Sequence, residues 1–249
     1  MANSLENKTA VVYGAAGTIG SVVARTFARE GAHVHLAGRT GATLDAVAEQ
    51  IRAAGGFADT AVVDALDRAA VDAHARSLDA SAGGIDISFN AVAVDVEQNV
   101  PLVDMPIEDF IAPIDGLCRT HFITATAAAR HMMERRSGVI ILLSATSAKE
   151  WRHEMGGFSP ACAAIEALTR SLAGEVGRKG VRVVGIRTNL NPETIGVTDD
   201  DVPELVRDTI LGRLPRLTEL AGTAVYLASD AAAAVTGVAV NMSCGAVFG

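Results

Sequence analysis

The sequence predicts a single α/β domain, spanning residues 1–249, with a doubly wound parallel sheet. Short apolar runs alternate with amphipathic stretches along the whole chain, and no shift in composition marks a domain boundary. Hydrophobic residues make up 49% of the chain, which is enough for a substantial core. Because parallel strands need helical crossovers, this alternation favours a parallel sheet with helices on both faces.

Six apolar runs have the length of buried strands, and five amphipathic stretches have the period of helices. The predicted strands are residues 9–13, 33–37, 61–63, 85–90, 139–143 and 181–186. The predicted helices are residues 19–30, 44–54, 68–80, 107–136 and 158–176. Pro106 suits the first turn of the longest helix, whereas Pro113 lies inside it and should break or kink it.

Residues 188–215, which follow the sixth predicted strand, are less regular. They include Pro192, Gly196 and Pro203, so we expect a loop with a short helix. In an open α/β sheet, ligands lie beyond the carboxyl ends of the strands. This segment is therefore a candidate substrate lid.

Composition excludes several classes of partner. The formal net charge is −8 and no basic cluster is present, so nucleic acid is not an expected partner. No apolar run approaches about 18 residues, and the N-terminus has no hydrophobic signal region, so we expect no membrane span and a cytoplasmic location. Cys118, Cys162 and Cys244 are widely spaced, which favours a reducing compartment and small buried thiols. No metal-ligand spacing appears, so no metal is expected.

A glycine-rich turn follows the first predicted strand and leads into a helix. Its glycines are Gly14, Gly17 and Gly20, with Thr18 and Ile19 between the last two. Glycines allow a tight turn and a close approach to a pyrophosphate resting on the helix N-terminus. The Thr18 hydroxyl could bind a phosphate, although its Cβ limits how closely a cofactor approaches. The alternative is a tight turn that binds no ligand.

The end of the second strand bears on the choice of nucleotide. An acidic residue there would accept the ribose 2′-hydroxyl of NAD, but the sequence has Gly38 and Arg39 instead. Gly38 leaves space, and a planar guanidinium suits a 2′-phosphate. NADP(H) is therefore favoured over NAD(H). The alternative is that Arg39 is a solvated residue at the entry to the next helix.

One segment resembles the active-site helix of the short-chain dehydrogenase/reductase family. It reads GGFSPACAAIEALTRSLAGEVGRKGVRV at residues 156–183, and the resemblance extends over nearly the whole chain. It implies a Rossmann fold and a nicotinamide cofactor. It also implies that Asp64 contacts the adenine and that Asn90 and Ala91 line the cofactor. From the residues alone, Asp64 could instead cap the next helix, and Asn90 could be purely structural.

The residues at the family's catalytic positions depart from its pattern. Where the family has a proton-transferring Tyr and, four residues on, a Lys, this chain has Phe158 and Cys162. The family's Ser falls on Ser144 or Ala145, and its helix-borne Asn aligns with Leu117. No displaced Tyr-x-x-x-Lys exists anywhere in the chain. Phe158 and Cys162, one helical turn apart, should present an apolar wall.

Two functions remain open. The first is an atypical NADP(H)-dependent oxidoreductase of a small hydrophobic substrate, with Ser144 and His153 as catalytic candidates and His153 as the best substitute acid. His153 could also be a solvated loop residue. The second is a nucleotide-binding protein without turnover, either a sensor or a partner subunit. The family resemblance implies a homotetramer.

Overall fold

The computed structural model describes residues 4–249, so the first three residues of the predicted domain lie outside the described part. The strands are β1 Thr9–Tyr13, β2 His33–Gly38, β3 Phe57–Val62, β4 Ile87–Asn90, β5 Gly138–Ala145, β6 Val181–Thr188 and β7 Ala239–Met242. The helices are α1 Thr18–Arg29, α2 Gly41–Ala53, α3 Arg68–Ala82, α4 Ile107–Arg135, α5 Phe158–Val176, α6 Pro203–Arg207 and α7 Leu217–Ala228.

The strands form one seven-stranded parallel sheet in the order β3-β2-β1-β4-β5-β6-β7, which confirms the predicted doubly wound architecture. One core contains Phe27 of α1 and Leu220 of α7. The other contains Val71 of α3, Met132 of α4 and Ile165 of α5. Each face of the sheet is thus covered by its own helices. The strand order reverses between β1 and β4, where folds of this kind bind ligands.

Strand boundaries differ from the prediction where burial is one-sided. β3 begins at Phe57 rather than at residue 61, because it is an edge strand in which only Ala58 is fully buried. An apolar run is therefore a poor guide to its length. β5 and β6 continue two residues past their apolar runs, to Ala145 and Thr188, and carry polar side chains toward the carboxyl edge of the sheet. β7 was not among the six predicted strands.

The expected break at Pro113 does not occur, because α4 is continuous from Ile107 to Arg135. Proline lacks the N–H group that would bond the carbonyl four residues earlier. Pro113 is buried, and the start of α5 packs closely against this turn: a Cβ on Gly157 would lie 1.8 Å from the Phe110 carbonyl oxygen. The start of α5 therefore covers the turn of α4 that contains Pro113.

The segment between β6 and α7 has the predicted form of a loop with a short helix. It contains 3₁₀ turns at Pro192–Thr194 and Asp199–Asp201, followed by α6. Within residues 4–249, each helix is too short or too polar to traverse a bilayer.

All three cysteines are free. Only Cys162 is fully buried, so the prediction of buried thiols is wrong for Cys118 and Cys244, which are partly exposed.

Candidate active site

The glycine-rich turn packs against the end of β4. Gly14 has a φ of +72°, and a Cβ there would lie 2.6 Å from the Ala91 carbonyl oxygen. A Cβ on Gly20 would lie 2.2 Å from the carbonyl oxygen of Gly14. Both glycines are therefore required by the fold itself, before any ligand is considered.

The start of α1 has the properties of an anion site. Gly17 is the N-cap, no side chain caps the helix, and its first turn, which includes Thr18 and Ile19, has no acidic residue. Free N–H groups and the positive end of the helix dipole favour a negative group there. The turn lies at the carboxyl edge of the sheet, beside the point where the strand order reverses. It therefore fits the pyrophosphate of a dinucleotide.

The end of β2 offers a free cation. Arg39 is exposed and makes no hydrogen bond or ion pair with any other residue in 4–249. Gly38 ends β2, where a Cβ would lie 3.3 Å from Leu44 Cδ2. A larger side chain would crowd Leu44 at this corner, so the packing of the fold itself favours glycine there.

Two predicted cofactor residues are engaged within the chain. Asp64 does not cap α3, because the side chain of Asp67 accepts the capping hydrogen bonds; Asp64 instead accepts one from the Leu66 amide at 3.0 Å. The buried Asn90 amide donates to the Thr124 hydroxyl at 2.9 Å and accepts from the Val92 amide, also at 2.9 Å. Asn90 therefore holds the turn after β4, which places Ala91 on the wall of the adjoining cavity.

A cavity of about 560 Å³ opens beyond the carboxyl ends of β4, β5 and β6. Leu117 of α4 and both Phe158 and Cys162 of α5 form its apolar side, so these three positions face one space. The segment after β6 lines the opposite side with residues that include Ile195 and Leu205. This segment therefore has the position expected of a lid.

Cys162 does not replace the missing cation. It is 1% exposed, and burial raises the pKa of its thiol to about 12. The neutral thiol dominates at physiological pH, so Cys162 is neither a thiolate nucleophile nor a positive group. It acts as part of the apolar wall.

Ser144 lines the cavity, but its hydroxyl belongs to a buried polar network. The hydroxyl lies 3.3 Å from the Cys162 carbonyl and 3.2 Å from Glu166 Oε1. Arg187 binds the Glu166 carboxylate with two hydrogen bonds of 2.6 and 2.7 Å, and its Nη1 donates to the Gly249 carbonyl at 2.7 Å. Since both acceptors of Ser144 lie in the protein, this geometry counts against Ser144 as a proton donor. Ala145, which also lines the cavity, offers no hydroxyl.

The sequence analysis did not predict the ion pair between Glu166 and Arg187. The side chains are 4% and 3% exposed. Glu166 interrupts an otherwise apolar stretch of α5, and Arg187 interrupts β6 directly after its apolar run. These interruptions were the available signal, because buried charges require partners.

A polar cluster forms one part of the cavity wall. His153 lines the cavity, as expected of a catalytic candidate, and its Nε2 lies 3.1 Å from Asp208 Oδ2. Arg152 lies 3.2 Å from Asp208 and 3.4 Å from Glu150. His153 is thus a partly buried member of an ion-pair cluster and not a freely solvated loop residue.

Glu150 is a second ionisable group in this wall, and sequence reasoning passed over it. Its side chain is 8% exposed and lines the cavity. Burial raises the pKa of the carboxyl group, against the opposing effects of His153 and Arg152. A raised pKa brings a carboxyl group closer to the neutral pH at which a general acid works best.

His121 contributes a polar atom to the apolar side of the cavity. It is 1% exposed, and its Nδ1 donates to the Leu117 carbonyl at 2.9 Å. Burial lowers its pKa to about 4, and the nearby carbonyls of Leu117 and Leu143 offset this only in part. The imidazole is therefore neutral at physiological pH.

Together, the doubly wound sheet, the glycine turn at its switch point and the adjoining cavity define a nucleotide-binding domain of the Rossmann class. The chain belongs to the short-chain dehydrogenase/reductase family of oxidoreductases. Residues 14–246 match the family model described as Enoyl-(Acyl carrier protein) reductase.

Three similar proteins cover nearly the whole chain. An uncharacterized oxidoreductase, YxbG of Bacillus subtilis, is 33% identical over 94% of this chain and 88% of its own length. The crystal structure of a short-chain type dehydrogenase/reductase from Mycobacterium marinum has a TM-score of 0.88 at 30% identity, covering 100% of this chain and 98% of its own. A gluconate 5-dehydrogenase from Burkholderia cenocepacia, solved with NADP and tartrate, has a TM-score of 0.89 at 27% identity, covering 98% and 97%.

Proposed function

We propose that this protein is an NADP(H)-dependent oxidoreductase acting on a small hydrophobic molecule, with a proton donor other than tyrosine. The observation that carries the proposal is the contrast around the cavity. The adjoining nucleotide end fits a phosphorylated dinucleotide, whereas Phe158 and Cys162 make the wall at the usual acid's position apolar. NADP in the related Burkholderia cenocepacia structure supports the choice of cofactor.

Bound NADP(H) would supply or accept a hydride, and the chain's own residues would hold the reactants. The N-terminus of α1 would hold the pyrophosphate, and Arg39 would hold the 2′-phosphate. Leu117 and Phe158 contact the apolar part of the substrate, while the segment after β6 excludes water.

The proton would come from the polar cluster in the cavity wall. His153 and Glu150 are its two ionisable candidates that line the cavity. Asp208 holds His153 through Nε2 and fixes the orientation of the ring. Burial raises the pKa of the Glu150 carboxyl group above its ordinary value.

The test follows NADPH oxidation with a panel of carbonyl, imine and activated alkene substrates. Glu150→Gln and His153→Gln remove the two candidate donors, and Glu154→Gln serves as an exposed carboxyl control on the same loop. Loss of a general acid should lower the rate about 10²- to 10⁴-fold in one of the first two variants and leave the control unchanged. Turnover that survives both replacements would show that the proton comes from elsewhere.

The second candidate function is nucleotide binding without turnover, in a sensor or partner subunit. It is favoured by the apolar Phe158–Cys162 wall and by the engagement of the Ser144 hydroxyl with Glu166. Tight NADPH binding with no oxidation across the panel would support it. The parent should in either case lack ordinary ketone reduction by the family mechanism, and the combined change Phe158→Tyr, Cys162→Lys and Ala145→Ser should create weak activity.

We also propose a cytoplasmic homotetramer, on the family resemblance and on the three free cysteines. Ala125, Ala128 and Ala161 are buried within the single subunit, so they are not open for contact with another subunit. Phe122 on α4 remains 48% exposed and could make such a contact. Light scattering should give about four times the 25.7 kDa chain mass.

A further inference from the structure

Three metal-ligating side chains lie together at the edge of the sheet, away from the cavity. His33 and His35 alternate along β2 and so point to the same face. The parallel register pairs His35 with Asp59 on the edge strand β3, which places the carboxylate beside the two imidazoles. The group lies toward the amino ends of these strands, whereas the cavity opens at their carboxyl ends.

The ligand atoms are already close to one another. His33 Nε2 lies 2.7 Å from Asp59 Oδ2, and the two imidazole rings stack with centroids 4.6 Å apart. One ligand atom from each of the three residues lies within 4.8 Å of the others. A hydrogen bond between His33 and Asp59 explains why these two side chains lie close together. It does not explain why His35 lies beside them.

The environment of His35 is a second, independent observation that points to a ligand. It is only 8% exposed, and its Nε2 has no hydrogen-bond partner among the described residues. A buried polar atom without a partner is costly unless a ligand satisfies it.

We propose that His33, His35 and Asp59 bind a divalent cation of the zinc type, with water completing the coordination. Two imidazoles and one carboxylate are a donor set that suits zinc. Bonds of about 2.0–2.2 Å place tetrahedral ligand atoms roughly 3.4 Å apart, so the His33–Asp59 hydrogen bond opens only slightly. His33 and Asp59 are 43% and 58% exposed and have room to move.

Two other charged or titratable groups face the site. Arg52 Nη2 lies 3.9 Å from Asp59 Oδ1 and is itself held by the Ala58 carbonyl, so its positive charge weakens cation binding. His74 on α3 is the other titratable group near His35. The bound cation would join the edge strand β3 to β2 and thereby stabilise this end of the sheet.

The test uses tag-free protein and zinc chloride, with calorimetry and competition against a chromophoric chelator. The parent should bind one zinc ion per chain, and Co²⁺ should give the intense visible absorption of a low-symmetry four-coordinate site. His33→Gln and Asp59→Asn alter only exposed side chains, and each should weaken zinc binding roughly tenfold or more. At the same concentration, zinc should raise the melting temperature of the parent more than that of His33→Gln.

His131→Gln is the matched control, because His131 lies in a second cluster with Asp79 and Glu134. This variant should bind zinc like the parent. Failure of the parent to bind zinc, or binding lost in His131→Gln but retained in His33→Gln, would overturn the assignment. NADPH titration of the same variants separates this site from the proposed enzymatic function, since neither result depends on the other.

Discussion

The two ends of the nucleotide cleft differ in what maintains them. At the cofactor end, Gly14 and Gly20 are required by backbone contacts within the turn and with β4, so the fold preserves the shape that a dinucleotide uses. At the reaction end, the shape depends on side chains. Phe158 and Cys162 keep an apolar wall there, while Glu166 and Arg187 form a buried ion pair behind it.

This difference shows how a fold can retain nucleotide binding while its chemistry changes. Replacing Gly14 or Gly20 would disturb the backbone at the switch point, so those positions are constrained by folding. Replacing a catalytic side chain leaves the sheet intact. On the proposed function, the reaction end has lost one proton donor and presents another, such as Glu150, without any change in architecture.

The largest expected effect concerns the ion pair behind the wall. Arg187→Met would leave the Glu166 carboxylate buried without its partner and should lower the free energy of unfolding by about 3–5 kcal/mol. Urea denaturation measures this change. The double variant Glu166→Leu with Arg187→Met should recover much of the loss, because no uncompensated charge remains.

Arg119→Met is the control, since it breaks an exposed ion pair with Asp115 and should cost about 0–1 kcal/mol. Equal effects of Arg187→Met and Arg119→Met would show that the buried pair does not maintain the reaction end.

A smaller effect should appear in the pH dependence of stability. His121 has a folded-state pKa of about 4, below its ordinary value near 6.5. As the pH falls, His121 is therefore protonated in the unfolded chain before it is protonated in the folded protein. The stability that the neutral ring contributes is present above pH 6.5 and is lost as the pH falls toward 4. Between pH 7.5 and 4.5, the parent should lose on the order of 2–3 kcal/mol more than His121→Gln. Urea denaturation measures the free energy of unfolding at each pH. An equal loss in the parent and in His121→Gln would contradict this prediction.

The smallest expected effect tests the cofactor end. Arg39→Ala should weaken NADPH binding about tenfold, because a charge-assisted contact with the 2′-phosphate is lost, and leave NADH binding unchanged. Fluorescence titration gives both affinities. Arg29→Ala, an exposed arginine at the far end of α1, is the matched control. Tighter binding of NADH than of NADPH by the parent would contradict the proposed preference.

The sequence predicted structure correctly where a local pattern of hydrophobic residues determines it. The bounds of α5 and β1 follow from hydrophobic period and length, and the structure has both as predicted. The apolar wall followed from Phe158 and Cys162 lying one helical turn apart. The boundaries of β3 were wrong because an edge strand need not be apolar.

Contacts between distant segments could not be read from period or spacing. Asp208 meets His153 only because the chain returns across the cavity after β6. Glu166 meets Arg187 because α5 crosses the sheet above β6. His35 and Asp59 meet through strand register. In each case the residue types were visible in the sequence, but the fold determined their partners.

The ion pair between Asp208 and Arg152 has a consequence for the rate at which a ligand enters the cavity. It joins the segment after β6 to the loop before α5, and both of these segments line the cavity. Opening the cavity would separate these charges, and dissolved salt weakens the attraction between partly exposed charges. We therefore expect an uncharged hydrophobic ligand to enter the cavity faster as ionic strength rises. The rate of ligand entry would then depend on the salt concentration, even though the ligand itself carries no charge.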